Sequence, residues 1–296
     1  MSFNLLDDII QINSASKNLL ITPNAIGDII LSSDLIKEAE SNSWDIIIKK
    51  DFYPWVSSYL FKNKAINLHQ KIEEKREYNI VVDMCGQDEI LLKFNNLKSI
   101  NHLIGFYHNG VYDTVVDFSA EAKNSSVFKF YLNFQKHLFG KSPRAIFPKC
   151  WSNFEKPIDI DLLIYPFSGS NDKNWSLSNF KKIYDFFSSE GYIVKFLNPK
   201  KCKKKINHVD PVDIIATNDW IDSSDIIQKS RLLLTNDSSI SHIGAFLCTY
   251  TISLFLKFNP SLWFPYPDSI GKAIELTKTN KFHIVKKIVK NKLKSK

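Results

Sequence analysis

The sequence lacks the motifs by which several common enzyme classes are recognised. No G-x-G-x-x-G occurs, so a dinucleotide-binding dehydrogenase loses its main support. The phosphate-loop pattern G-x-x-x-x-G-K-[S/T] and the G-x-S-x-G, H-E-x-x-H and EF-hand patterns are missing as well. The seven histidines are scattered and the four cysteines form no C-x-x-C pair, so we predict no metal site.

Disulfide frameworks and membrane spans are not predicted either. The cysteines are few and widely spaced, so we expect reduced thiols. The longest apolar stretch, residues 243–256, contains threonine and serine and is too short to cross a bilayer. The opening residues, MSFNLLDDII, have neither the basic start nor the apolar core of a signal peptide. Together these features predict a cytoplasmic protein.

Arginine is scarce, and the excess positive charge is confined to one segment. The net charge is +8, but residues 278–296 hold eight lysines and no acidic residue. Removing these eight from the 39 basic residues leaves 31, equal to the 31 acidic residues. A nucleic-acid-binding protein is expected to spread basic residues over one face, so we predict no nucleic-acid partner. Apolar residues recur here at helical spacing, which favours a basic helix packed on the protein over one lying on an anionic membrane.

Short apolar strands alternate with amphipathic helices in two successive blocks. We expect single helices over residues 26–40 and 88–97 in the first block. A proline-containing stretch without periodicity, residues 140–157, indicates a linker. The pattern predicts an α/β protein with two Rossmann-like, doubly wound domains, residues 1–150 and 151–296, the second ending in the basic helix. Ligands of such sheets bind beyond the carboxyl ends of the strands, which predicts a cleft between the domains.

The loops that follow strands carry the candidate chemistry. In TPNAIGD, Asp28 begins an apolar helix; it either stabilises the helix N-terminus or serves as a general base. The loop PFSGSNDKNW opens the second block. Ser168, Gly169 and Ser170 offer hydroxyls and backbone N–H groups that suit a phosphate, and Lys173 adds a point charge. An ordinary polar loop is the alternative.

The loop TNDSSISH, between a buried strand and an apolar helix, admits two interpretations. Its aspartate and serines are helix caps and His242 is structural, or the hydroxyl-rich helix N-terminus binds a diphosphate beside the histidine. The residues concerned are Asn236, Asp237, Ser238, Ser239 and His242.

Four segments, in this order, carry a resemblance to a known family. They are ITPNAIGDIILSSDLIKEA, YNIVVDMCGQDEILLKF, YPFSGSNDKNWSLSNFKKI and LLLTNDSSISHIGAFLCTYTISLF. They are similar, respectively, to an opening strand with a G-D turn, a D-h-h-D-x-x-G strand in which h is hydrophobic, a Ser/Lys/Trp loop, and a D-T-G-x-x-H segment. This combination resembles glycosyltransferase family 9, the bacterial heptosyltransferases of lipopolysaccharide core synthesis.

The resemblance implies the GT-B fold, in which two Rossmann-like domains face a central cleft. It implies a metal-independent, inverting transfer from a nucleotide-diphosphate sugar, ADP-heptose, to a glycan or glycolipid acceptor of the lipopolysaccharide core or another surface glycan. Asp28 matches the catalytic base. Acceptor binding falls to Asn24 and Gly27 in the first domain. Donor binding in the second falls to Ser168, Gly169, Ser170, Lys173, Asn236, Asp237, Ser238, Ser239 and His242. The expected location is the cytoplasm, with contact at the inner face of the bacterial inner membrane left open.

Two departures from the family pattern keep other functions open. Ser239 replaces a glycine where the backbone approaches phosphate or takes a positive φ. The lysine-rich run KKCKKK, residues 200–205, replaces an acidic residue that reads the nucleotide. The alternatives are a GT-B glycosyltransferase with another nucleotide sugar and a non-catalytic sugar-nucleotide-binding homologue. A sugar-nucleotide epimerase is disfavoured, because the loops carry few carboxylates and histidines.

Overall fold

The chain folds into two compact units, Met1–Ile146 and Phe147–Lys296. The computed structural model describes residues 17–62, 68–69, 77–85, 100–106, 112–116, 125–140, 158–200, 206–207, 209–276 and 281–295. Within these ranges each unit contains one six-stranded sheet, and every strand pair is parallel. No helix in the described part of the chain is long and apolar enough to cross a membrane.

The first unit has the strand order β3-β2-β1-β4-β5-β6. This is the doubly wound order in which the chain starts at the centre and reverses direction once. The strands are β1 Asn18–Ile21, β2 Asp45–Ile47, β3 Leu68–His69, β4 Tyr78–Asp83, β5 Ile100–Gly105 and β6 Thr114–Val115. The helices are α1 Ile26–Leu31, α2 Ser33–Ser41, α3 Tyr53–Trp55, which continues as a π-helical turn over Val56–Leu60, and α4 Val127–Phe139.

The single helix predicted over residues 26–40 is wrong, because it is broken into α1 and α2 at Ser32. The Ser32 hydroxyl donates to the carbonyl of Asp28 at 2.8 Å and lies 3.3 Å from that of Ile29. Such a bond from a serine to the preceding turn competes with the helix ladder and bends it. The predicted helix 88–97 and residues 141–157 of the predicted linker lie outside the described residues.

The second unit repeats the same topology, with the strand order β12-β11-β10-β7-β8-β9. Its strands are β7 Ile160–Tyr165, β8 Val194–Pro199, β9 Ile214–Thr217, β10 Ser230–Asn236, β11 Tyr250–Phe255 and β12 Gly271–Glu275. Its helices are α5 Leu177–Ser189, α6 Trp220–Gln228, α7 Ser239–Phe246, α8 Pro260–Trp263 and α9 Phe282–Lys294. The direction of winding reverses between β7 and β10, at the centre of the sheet.

The basic C-terminal helix α9 packs on the second unit, as predicted. Val285, Val289 and Leu293 recur every four residues and are buried in the core of that unit. Two of its lysines lie over aromatic rings, at 3.6 Å from the centroid of Phe186 for Lys286 and at 3.7 Å from that of Tyr250 for Lys292. The apolar stripe is therefore used inside the protein.

One cysteine departs from the expectation of reduced thiols. Cys248, which follows α7 with a φ of 59°, is disulfide-bonded, whereas Cys85 forms no disulfide. The wide spacing of cysteines in the sequence does not reveal which ones the fold brings together.

Candidate functional site

The parallel sheet of the second unit collects its polar loops at one edge. The strands run in the same direction, so the segments after β7, β8, β9 and β10 all emerge at their carboxyl ends. The loops after β7 and β10 flank the position where the winding reverses, which is where open α/β sheets bind ligands.

A pocket of about 300 Å³ lies at this edge. Its lining combines small and hydroxylated residues of the loops after β7 and β10 with residues from the end of β8 and the start of α6. The lining residues are Tyr165, Ser168, Gly169, Pro199, Asn218, Asp219, Trp220, Ser223, Ser238, Ser239 and Ile240. Four predicted donor-binding residues are thus brought together: Ser168, Gly169, Ser238 and Ser239.

The loop after β7 is organised by its own serines. The Ser168 hydroxyl donates to the carbonyl of Ser170 at 2.6 Å, and the Ser170 hydroxyl donates to the Asp172 carboxylate. A Cβ added at Gly169 meets no atom within 4 Å, so this backbone borders open space. Hydroxyls and an uncovered backbone are suitable partners for phosphate oxygens.

Helix α7 brings its N-terminus to the pocket because its axis can approach the sheet closely. A Cβ at Gly244 would come within 3 Å of the Thr251 hydroxyl oxygen and of a methyl carbon of Leu233, so a larger residue would force these buried side chains to move. Ser238 is the N-cap residue of the helix and has an extended backbone, and its side chain does not cap the first turn. The N–H groups of that turn and the helix dipole favour an anion.

The structure accommodates Ser239, which stands where the family pattern has a glycine. It is the first residue of α7, and it is not among the residues with positive φ in the described ranges. A glycine is therefore not required for backbone conformation here. The hydroxymethyl group of Ser239 instead lines the pocket.

Asn236 occupies a structural position behind the pocket. Its carboxamide is fully buried; the oxygen accepts the Trp175 N–H at 2.9 Å, and the nitrogen donates to the Pro166 carbonyl at 2.7 Å. These bonds join the end of β10 to both ends of the loop after β7. The side chain predicted to bind donor is thus directed to protein partners.

Lys173 lies beside the pocket in an ion pair. Its ammonium nitrogen is 3.1 Å from Oδ2 of Asp237, and the lysine side chain is 25% exposed against 9% for the aspartate. The same nitrogen lies 4.3 Å from the ring centroid of Phe258, on the loop after β11. A buried carboxylate and an aromatic face therefore hold the lysine in place.

His242 lies in α7 as a buried, neutral imidazole. Burial, with a further contribution from the Lys173 charge, lowers its pKa to about 4. Its Nδ1 lies 3.0 Å from the hydroxyl of Tyr266, whose own pKa is raised by burial. Sequence reasoning missed Tyr266, because a tyrosine in a proline-rich loop carries no signal of its partner.

The part of the pocket lining that comes from residues 218–220 was also missed from sequence. Asp219 caps α6 by accepting the Asp222 N–H at 2.9 Å, and Trp220 is the first residue of that helix. Asn218 accepts a bond of 2.6 Å from the Lys200 ammonium and donates to Asp222 at 2.7 Å. The segment resembles an ordinary helix start, and only the fold brings it beside the other loops.

The predicted residues of the first unit lie on the turn between β1 and α1. Asp28 is the third residue of α1 and is half-buried, in the first turn where the dipole favours a carboxylate. Ala25 occupies the N-cap, so the cap does not come from Asp28. Asn24 is half-buried and Gly27 is buried.

The acid at the end of β4 has a different environment. Asp83 is fully buried, accepting the Tyr112 hydroxyl at 2.7 Å and the Cys85 N–H at 2.8 Å. Within the described residues, no group of three or more histidine, cysteine or acidic side chains could hold a metal ion.

Solved structures share this two-unit architecture. Escherichia coli heptosyltransferase WaaC with ADP aligns over 93% of this chain and 99% of its own, at 12% identity and a TM-score of 0.68. E. coli ADP-heptose lipopolysaccharide heptosyltransferase II aligns over 94% of this chain and 98% of its own, at 16% identity and a TM-score of 0.70. The family 9 glycosyltransferase of Veillonella parvula aligns over 95% of this chain and 92% of its own, at 16% identity and a TM-score of 0.66. The fold is therefore that of the GT-B glycosyltransferases.

A family model narrows this class. The model for glycosyltransferase family 9 (heptosyltransferase) matches residues 116–292, more than half of the sequence, so the chain belongs to that family and is a glycosyltransferase. No curated protein sequence matches the chain.

Proposed function

We propose that this protein is an inverting, metal-independent glycosyltransferase that transfers heptose from ADP-heptose to the lipopolysaccharide core or another surface glycan. The observation that carries the proposal is the pocket at the centre of the second sheet, where serine hydroxyls, open backbone and the α7 N-terminus meet. WaaC, a structure with ADP, shares the fold. The nucleotide would occupy the pocket, with its phosphates at Ser168, Gly169, Ser238 and Ser239.

In the proposed reaction, the acceptor hydroxyl oxygen attacks the anomeric carbon of the donor. The bond from that carbon to the diphosphate oxygen breaks, and the nucleoside diphosphate leaves with the electron pair. Asp28 takes the acceptor proton as general base. Lys173, the serine hydroxyls and the first-turn N–H groups of α7 stabilise the charge that develops on the diphosphate.

A second candidate, a GT-B enzyme with another nucleotide, is favoured by the pocket residues Asn218 and Trp220. Lys200 follows β8 and bonds to Asn218 on the pocket wall, where the family pattern expects an acidic residue. Trp220 offers an indole, and stacking on an aromatic ring accepts any base. Base identity is therefore the open variable of the proposal.

Thermal unfolding with ADP, UDP, GDP, CMP and ADP-heptose tests both candidates. A ligand that binds only the folded protein increases the free energy of unfolding by mass action, by about 2.7 kcal/mol at one hundred times Kd, and so raises the melting temperature. We expect ADP and ADP-heptose to give the largest shifts. A selective shift with another nucleotide would keep the transfer chemistry and replace the donor. A protein that responds to none of them would contradict the proposal.

A further inference from the structure

Two lysines of the second unit approach the same aromatic ring. The ammonium nitrogens of Lys173 and Lys257 lie 4.3 and 5.6 Å from the ring centroid of Phe258. Each lysine also has a carboxylate partner, Asp237 for Lys173 and Asp172 for Lys257. We call these five residues the Phe258 cluster. It joins the loops that follow β7, β10 and β11, three neighbouring strands of the sheet.

The two ion pairs of the cluster differ in how strongly the protein holds them. The Asp237 side chain is 9% exposed and needs Lys173, because an unpaired buried carboxylate is costly. Lys257 and Asp172 lie 2.5 Å apart, but their side chains are 49% and 50% exposed. Water screens such a pair and solvates either partner when it separates. Lys257 is therefore the cation that can exchange its carboxylate for another anion.

The position of the Phe258 cluster relative to the pocket indicates which anion would replace Asp172 as the partner of Lys257. Ser168 lines the pocket, and a chain of hydrogen bonds leads from it through Ser170 to Asp172. Asp237 directly precedes the pocket residue Ser238. A nucleotide whose phosphates lie at the serines would place its terminal phosphate toward the cluster.

We propose that Lys257 is a second phosphate-binding cation of the donor site, held by Asp172 until the terminal phosphate of a nucleoside diphosphate replaces that carboxylate. The inference rests on the proposed function and adds a residue to it. Lys173 shares its charge with Asp237, so one further cation would offset the charge of a leaving diphosphate. Phe258 would keep both ammonium groups on one ring.

The test compares a nucleoside diphosphate with its monophosphate in calorimetric binding experiments. ADP and AMP are used, or the corresponding pair for the nucleotide that gives the largest thermal shift. We expect Lys257→Met to weaken diphosphate binding about tenfold, the size of one partly screened charge-assisted contact, and to leave monophosphate binding nearly unchanged. Lys272→Met, which removes an exposed lysine on β12, is the matched control and should change neither.

A second variant gives an effect of opposite sign. Asp172→Asn removes the carboxylate that competes for Lys257, so diphosphate affinity should rise, by roughly threefold. The Asp172→Asn variant also tests the proposal if Lys257→Met does not fold. If wild-type protein binds no nucleotide, the proposed function fails. If the wild-type protein binds the nucleotide and both variants keep its ratio of diphosphate to monophosphate affinity, the proposed function stands and the assignment of Lys257 is overturned.

Discussion

The two units share one topology but differ in the loops at the carboxyl ends of corresponding strands. β1 corresponds to β7 and β4 to β10 in the two strand orders. Four residues join β1 to α1, and the only acidic residue in the first turn of that helix is Asp28. Eleven residues separate β7 from α5, with three serines and Lys173 among them.

The corresponding acids show the same contrast. Asp83 at the end of β4 is bonded to a tyrosine and a backbone N–H within the core. Asp237, one residue past the end of β10, instead pairs with the partly exposed Lys173. Topology therefore sets where a ligand can bind, and loop length and side chains set whether that edge offers the proposed phosphate site or a single carboxylate.

The largest expected effect tests the role of the first unit. Asp28→Asn removes the proposed base, so kcat should fall by about 10²–10⁴-fold, while donor affinity measured by calorimetry stays the same. Asp51→Asn, which changes an exposed carboxylate of the same unit, is the control. Full activity of the Asp28 variant would remove the proposed division of roles between the units.

An intermediate effect is expected where the two loops of the second unit are joined. Asn236→Ala leaves the Trp175 N–H and the Pro166 carbonyl without their buried partner. The free energy of unfolding should fall by about 3 kcal/mol in urea titrations. Asn291→Ala, on the exposed side of α9, should change it little. Unchanged stability of the Asn236 variant would show that the bonds between these loops are dispensable.

The smallest effect concerns pH. The pKa of His242 is about 4 in the folded protein against 6.5 for the free side chain. Between these values only the unfolded state gains the proton, so stability falls as pH decreases through this window, by roughly 1.4 kcal/mol per unit. The free energy of unfolding should therefore fall from pH 7 to pH 5 by about 2 kcal/mol more in the wild type than in His242→Gln. His283→Gln, at an exposed position, should keep the wild-type dependence.

The alternation of strands and helices could be predicted from the sequence, because most strands are short apolar runs and most of the longer helices show one apolar face. It missed β12, whose lysine and glutamate lie exposed on an edge strand. It also missed the break at Ser32, which depends on a single hydroxyl bonding back to the preceding turn.

The site was predictable only in part. Ser168, Gly169, Ser238 and Ser239 could be selected because loops after parallel strands are expected to converge. The distinction between a residue that lines the pocket and one that supports it, such as Asn236, depends on side-chain direction. Asn218 and Trp220 come from a segment that becomes part of the pocket only through the strand order.

The carboxamide of Asn236 fastens both ends of the loop after β7, at Pro166 and at Trp175. Between these points, residues 168–173 are exposed or half-buried and lie outside the core of the unit. Substitutions within them can alter what the loop binds without changing how the strands pair. This segment is therefore the part of the unit that can vary in sequence while the sheet folds as before.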